Sequence, residues 1–173
     1  ARRSGAKELE RRTVLSAYLL RAQESGAAPP QESGLLYNSW NGKHHSEMRF
    51  WHQTWLPLWG HPELLARSDE WFINRLPQAR AHAASQGYAG ARWGKMLGES
   101  NPRGLGAPTT TSEAVGLMYW ESPNNINPGL VWHQPHVVYM AELEYQACAR
   151  AAAPCSAADV LRRMRDVVLN TTA

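Results

Sequence analysis

Helical periodicity recurs along most of this chain, whereas β-branched alternation never lasts beyond four residues, and that contrast most constrains the fold. Residues 6–24 set Val14, Leu15, Tyr18, Leu19 and Ala22 at helical spacing, and Gly26, Pro29 and Pro30 close the segment. Residues 62–86 form a second such stretch, opened by Pro62 and Glu63 and closed at Gly87, with Pro77 expected to kink or split it. Residues 156–170 put Val160, Leu161, Met164, Val167 and Val168 on one face behind a Ser156 N-cap. Residues 45–58 and 135–150 are apolar nearly all round, as inner helices of a layered helical fold are. The expected class is all-α, one domain over residues 1–173, built from helical hairpins.

The helices alternate with loops of unequal length. Residues 27–44 and 98–134 are long and rich in Gly, Pro, Asn, Ser and Thr, with aromatics at their ends. Loops of that length in a compact domain are usually functional or disordered. The chain carries eight Trp and seven His against two Phe, and Trp is concentrated within residues 40–59 and 120–132. An indole must find a partner for its N–H when buried, so a helical core does not call for so many. Aromatic faces beside His, Glu and Gln suit sugars, which offer apolar C–H faces and hydroxyl rims. The competing reading is a Trp-rich core.

Charge excludes several classes. The net charge of +3 comes from 18 basic and 15 acidic residues spread along the chain, without the basic stripe of a nucleic-acid binder. The densest basic group, Arg162, Arg163 and Arg165, has Asp159 and Asp166 beside it and reads as a solvated helix face. No apolar run reaches the roughly 20 residues needed to span a bilayer. Neither nucleic acid nor membrane is expected as a partner. Cys148 and Cys155, seven apart and without a second pair, indicate neither a zinc site nor a disulfide framework.

Three constellations carry the candidate chemistry. The first, Tyr37 to Met48, contains Trp40, Lys43, His44, His45 and Glu47 at a loop-to-helix junction. A carboxylate in a first helical turn is favoured by the helix dipole alone, but here donors and a stacking face surround it. The ligand set His44, His45, Glu47 and His52 lacks the spacing of a metal motif, and neither metal nor cofactor is expected. The second, Gly87 to Met96, places Arg92, Trp93 and Lys95 among small residues where backbone approaches a ligand closely. The third joins Trp120 and Glu121 to Trp132, His133, Gln134 and His136 at the start of a helix. Glycosidic chemistry normally uses two carboxylates about 6.5–9.5 Å apart for inversion. Glu47 and Glu121 are the first pair to consider and Glu99 the third carboxylate, while Glu32, Glu142 and Glu144 read as structural.

The block Gly42-Lys-His-His-Ser-Glu-Met48, then Leu76-Pro-Gln-Ala-Arg80, then Gly87-Tyr-Ala-Gly-Ala-Arg-Trp93 resembles the six-hairpin (α/α)6 glycosidase superfamily. The likeness is strongest to the branch near the maltose and trehalose phosphorylases. Trp132-His-Gln-Pro-His136 with Tyr139-Met-Ala-Glu-Leu143 resembles uncharacterised bacterial and fungal members of the same superfamily. The resemblance covers roughly residues 8–173, and the order of the blocks is more specific than any one of them. It implies an (α/α) toroid, of which this chain, beginning Ala-Arg-Arg-Ser without an initiator Met, supplies about half. It implies that Glu47 holds hydroxyls of the nonreducing sugar, and that Trp40, Arg92, Trp93, Lys95, Glu121, Gln134 and His136 line the pocket, with Lys43 and His44 of the first constellation as further substrate-binding candidates. The motif reads His-His-Ser-Glu where the family has Phe-Trp-Asp-Thr-Glu, which leaves the sugar open. The family's proton donor would lie beyond residue 173, leaving Glu121 as the catalytic candidate within this chain.

The expected function is therefore the sugar-binding half of a glycoside hydrolase or phosphorylase, inactive in isolation. Its expected partners are an oligosaccharide or glycoside and the remainder of its own catalytic domain. A non-catalytic carbohydrate-binding protein and a helical interaction module are the alternatives.

Overall fold

The computed structural model describes residues 2–32, 44–99, 119–121, 129–150 and 155–172. Trp40 and Lys43 lie outside them, as does most of both long loops, and for Trp120 and Glu121 only the backbone is described. Within these residues the protein is mostly helical. The order is α1 (Arg2–Glu24), β1 (His44–His45), α2 (Ser46–Gln53), α3 (Trp55–Leu58), α4 (Pro62–Ser85), β2 (Met96–Glu99), β3 (Tyr119–Glu121), α5 (His136–Arg150) and α6 (Ala157–Thr171).

Local chemistry sets the helix ends. Ser156 accepts from Asp159 N–H and starts α6, as its position before the apolar face predicts. α4 starts on Pro62, whose missing N–H costs nothing at a first turn. It ends where Gly87 adopts φ 81°, letting Tyr88 N–H reach back to the Ala83 carbonyl at 3.0 Å. Pro77 does not split it. The helix runs on because Trp71 and Phe72 before the proline, and Ala79 and Ala83 after it, are buried against the same core. That burial outweighs one lost backbone hydrogen bond.

The core lies where α4, α5 and α6 meet, around Phe72, Ala79, Trp93, Leu97, Val137, Met164 and Val167. A second apolar cluster joins Leu56, Leu64 and Leu65 to Met140 and Leu143 of α5. α5 and α6 form a hairpin, and a Cys148–Cys155 disulfide closes it with a Cα–Cα distance of 5.3 Å. Two cysteines seven apart indicated no bridge in the sequence. The packing of α5 against α6 brings both Cα atoms into bridging range.

Three further expectations change. The stretch 45–58 is two short helices, and α2 buries Ser46, Arg49 and Gln53 while Trp51 is exposed. It is thus a polar inner helix rather than an apolar one. The stripe on α1 is mostly exposed at Val14, Leu15 and Tyr18, since among the described residues α1 packs mainly against α2. A small antiparallel sheet, order β1-β2-β3, pairs His45 with Met96 and Leu97 with Glu121. Its strands are too short for period-two alternation to show in a sequence.

Candidate functional site

The sheet and the start of α5 gather three chain segments at one place. Ser46 N–H donates to the Lys95 carbonyl at 2.8 Å, and the Ser46 hydroxyl donates to the Gly94 carbonyl at 2.8 Å. His136 Nδ1 lies 3.5 Å from the Ser46 carbonyl, and its ring packs on Phe50 at 4.9 Å. Glu47, Lys95, Trp132 and His136 therefore converge from positions spread over roughly 90 residues. Pairing with β2 brings the backbone of Glu121 to the same sheet, opposite Leu97.

Glu47 stands in the first turn of α2, where the helix dipole favours a negative charge. Its Oε2 is 3.0 Å from Lys95 Nζ, and the Trp132 indole hydrogen-bonds to it as well. Partial burial alone would raise its pKa. The ammonium and the indole outweigh that burial and hold the carboxyl below its ordinary value. Lys95 Nζ also sits 5.1 Å from the Trp132 ring centroid, a cation–π contact. The Glu47 side chain remains 26% exposed and Trp132 50% exposed. An ionised acceptor, a donor and an open aromatic face thus stand together at the surface.

Two of the histidines around them, His45 and His136, are held below their ordinary pKa. Burial, with the nearby Lys95 charge, pushes His45 down to about 4, and its Nδ1 caps α2 by accepting from Met48 N–H at 3.1 Å. Burial lowers His136 too, against the pull of the Ser46 carbonyl. His44 is half-buried, edge-on to Trp71 at 5.4 Å. His52 pairs with Glu24 Oε2 at 3.2 Å.

Other residues that the resemblance assigns to the pocket are part of the scaffold behind it. Trp93 is 1% exposed, packs on Phe72 at 5.0 Å and donates its indole N–H to Thr171 Oγ1 at 2.9 Å. Gln134 brackets the Trp93 backbone, accepting from its N–H at 3.0 Å and donating to its carbonyl. His133 joins that carbonyl at 2.8 Å. Arg92 turns to Gln86 Oε1, 2.6 Å away, with His82 beyond at 3.4 Å. These side chains fix the loop that presents Lys95, and their polar atoms are engaged in doing so.

Sequence reading passed over two members of the site. Trp132 was read as a neighbour of Gln134, yet it reaches Glu47 itself. Glu32 was read as structural, yet its carboxyl feels the charges of Lys95, Glu47 and His52. Only the clustering of Trp and carboxylates at loop ends pointed toward either. No known protein family, no curated protein and no solved structure matches this chain.

Proposed function

We propose that this chain is a carbohydrate-active domain of the glycoside hydrolase or phosphorylase type, contributing the sugar-binding half of an active site. The observation that carries the proposal is the Glu47–Lys95–Trp132 triad. It sets an ionised acceptor and an ammonium donor beside an exposed indole, at a junction built by three distant segments. A pyranose fits that arrangement, with its C–H face on the indole and its hydroxyl rim on the charged pair. The resemblance of the blocks at 42–48, 76–80 and 87–93 to the six-hairpin glycosidases supports the same reading.

The architecture proposed with it is a part of an (α/α) toroid. The α5–α6 hairpin supports this, as do apolar surfaces that the described residues leave open. These are α1 at Val14 and Tyr18, and a groove between α5 and α6 lined by Val138, Ala141, Tyr145, Leu161 and Val168. In the proposed toroid these surfaces pack against the remainder of the catalytic domain. Among the described residues no helix is long and apolar enough to cross a membrane.

Saturation-transfer NMR with maltose, trehalose and cellobiose tests the reading. At least one of them is expected to bind and to shift the Trp132 indole resonance. Binding that leaves Trp132 untouched, or no binding, removes the site. The isolated chain is expected to hydrolyse no aryl glycoside. Hydrolysis abolished by Glu121→Gln would instead make this chain a complete catalyst with Glu121 at its centre.

A further inference from the structure

Aromatic surface continues past the triad along two helices. Glu47 and Trp51 lie four apart on α2, so they share one face of that helix, about 6 Å apart along its axis. His136 and Tyr139 stand three apart on α5, about 4.5 Å along its axis. Phe50 joins the two rows. Its ring centroid lies 4.9 Å from His136, 5.4 Å from Tyr139 and 5.0 Å from Trp51, edge-on to the last. His136 in turn reaches the Ser46 carbonyl and feels the charge of Glu47. One turn of each helix therefore leads from the triad onto a strip of contiguous rings.

The strip is open and poor in charge. Trp51 is 66% exposed and Tyr139 45% exposed. Neither lines the groove between α5 and α6, so the strip is a separate surface. Charged side chains close by on the same helices are turned to other partners, Arg49 to Asp69, His52 to Glu24 and Glu142 to Gln146. The strip's own hydrogen-bonding groups are one indole N–H, one phenol and an imidazole already turned to the Ser46 carbonyl. A sugar ring needs directional partners around its rim, and those stand at the triad. Exposed rings without them favour an apolar group, through the area it covers and through ring-to-ring contact.

We infer that Phe50, Trp51 and Tyr139 form an aglycone subsite, and that this site takes a glycoside carrying an aryl group next to the sugar held by the triad. This rests on the carbohydrate reading above and adds the non-sugar half of the ligand. The register of the two helices supports it. A step of one helical turn from Glu47 suits a group attached through the glycosidic oxygen of a ring seated on Trp132.

Calorimetric titration of the protein with methyl and phenyl glucosides, each in both anomers, and with maltose and cellobiose tests this. One phenyl glucoside should bind about tenfold or more tightly than its methyl counterpart and than either disaccharide. Trp51→Ala should abolish that gain and leave methyl glucoside within about twofold, and Trp51→Phe should keep most of the gain. Trp132→Ala should weaken methyl and phenyl glucosides alike, since the triad holds the sugar of both. A phenyl gain that survives Trp51→Ala would overturn the subsite and leave the carbohydrate reading standing. So would the absence of any gain beside measurable binding of methyl glucoside or a disaccharide. A disaccharide that matches phenyl glucoside, and loses its advantage in Trp51→Ala, would overturn the aryl choice and make the strip a second sugar subsite. No binding of any of these compounds would remove the carbohydrate reading and the subsite with it. Saturation-transfer NMR on the wild-type protein gives a second measurement that needs no folded variant. The phenyl protons should receive saturation as strongly as the sugar protons, and phenyl protons left unsaturated would overturn the inference.

Discussion

Two charged clusters occupy this molecule, one sealed between helices and one at the loop junction. In the sealed cluster Arg49, 1% exposed, binds Asp69, 0% exposed, and also reaches Gln53 Oε1 at 2.9 Å and Ser68 at 3.1 Å. Glu144 of α5 takes Arg163 of α6 at 2.7 Å and lies close enough to Asp69 to feel its negative charge. Two carboxyls and two guanidiniums thus link α2, α4, α5 and α6, and of the four only Arg163, at 24%, reaches solvent. The open cluster has the same kinds of group in Glu47 and Lys95, but adds an exposed indole. Charge alone does not separate a structural cluster from a binding one. Access does.

The largest effect that tests this contrast belongs to the sealed cluster. Asp69→Ala strips the partner from a buried guanidinium, and breaking such a pair typically costs about 3–5 kcal/mol. Urea unfolding should show that loss, and any sugar affinity that survives should be unchanged in the folded fraction. A loss below about 1 kcal/mol would mean that water reaches Arg49 and that the cluster is not sealed.

Titration provides the next test. Burial, then the negative charge of Asp69, pushes Glu144 up to about 8 from an ordinary 4.5, against the pull of Arg163. A carboxyl raised in the folded state binds its proton more tightly there than in the unfolded chain. Its stabilising contribution is therefore full below about 4.5 and is lost as pH rises through about 8. Stability should fall across that window by on the order of 1 kcal/mol per pH unit or less, and Glu144→Gln should flatten the curve. A curve that rises with pH, and that Glu144→Gln leaves unchanged, would show that Glu144 is not raised in the folded state.

How much of this was legible in the sequence follows from the range of each signal. The helix at 62–86 and the Ser156 cap were readable because they depend on neighbours within a few residues. Glu47 and Lys95 could be singled out as a carboxylate and a donor at loop ends. Their pairing could not, because it depends on Ser46 seating against residues 94 and 95. The same gap separated Trp93 and Gln134, read as ligand contacts, from the mutual clamp they form across 41 positions. The polar interior of α2 was hidden for another reason. Arg49 and Gln53 lie four apart among Phe50, Trp51 and Trp55, and only the placement of Asp69 and Ser68 turns that polar face inward.

In the open cluster, Glu47→Gln keeps the shape and loses the charge-assisted acceptor. Sugar affinity should drop by about 10- to 150-fold, the equivalent of about 1.5–3 kcal/mol. Stability should change by only about 0.3–1 kcal/mol, the share of a first-turn carboxylate in its helix dipole. Calorimetry alongside thermal melts separates the two readings. Unchanged affinity with a lowered melting temperature would move Glu47 into the same structural role as Asp69.

The smallest expected effect draws the boundary inside the site region itself. Gln134 comes from the same segment as Trp132, so proximity in sequence would give both the same role. Trp132 is half exposed and meets Glu47, whereas Gln134 satisfies the backbone of Trp93. Gln134→Ala should therefore cost about 1 kcal/mol of stability, since it leaves the Trp93 N–H and carbonyl with fewer partners while His133 still reaches that carbonyl. Affinity for a neutral disaccharide should stay within about threefold, because the side chain supports the loop rather than the ligand. Trp132→Ala should show the reverse, with little change in melting and a clear loss of binding. If Gln134→Ala weakens binding as much as Trp132→Ala does, the ligand reaches past the indole to the Trp93 loop. The site would then extend from the surface triad into what this structure shows as scaffold.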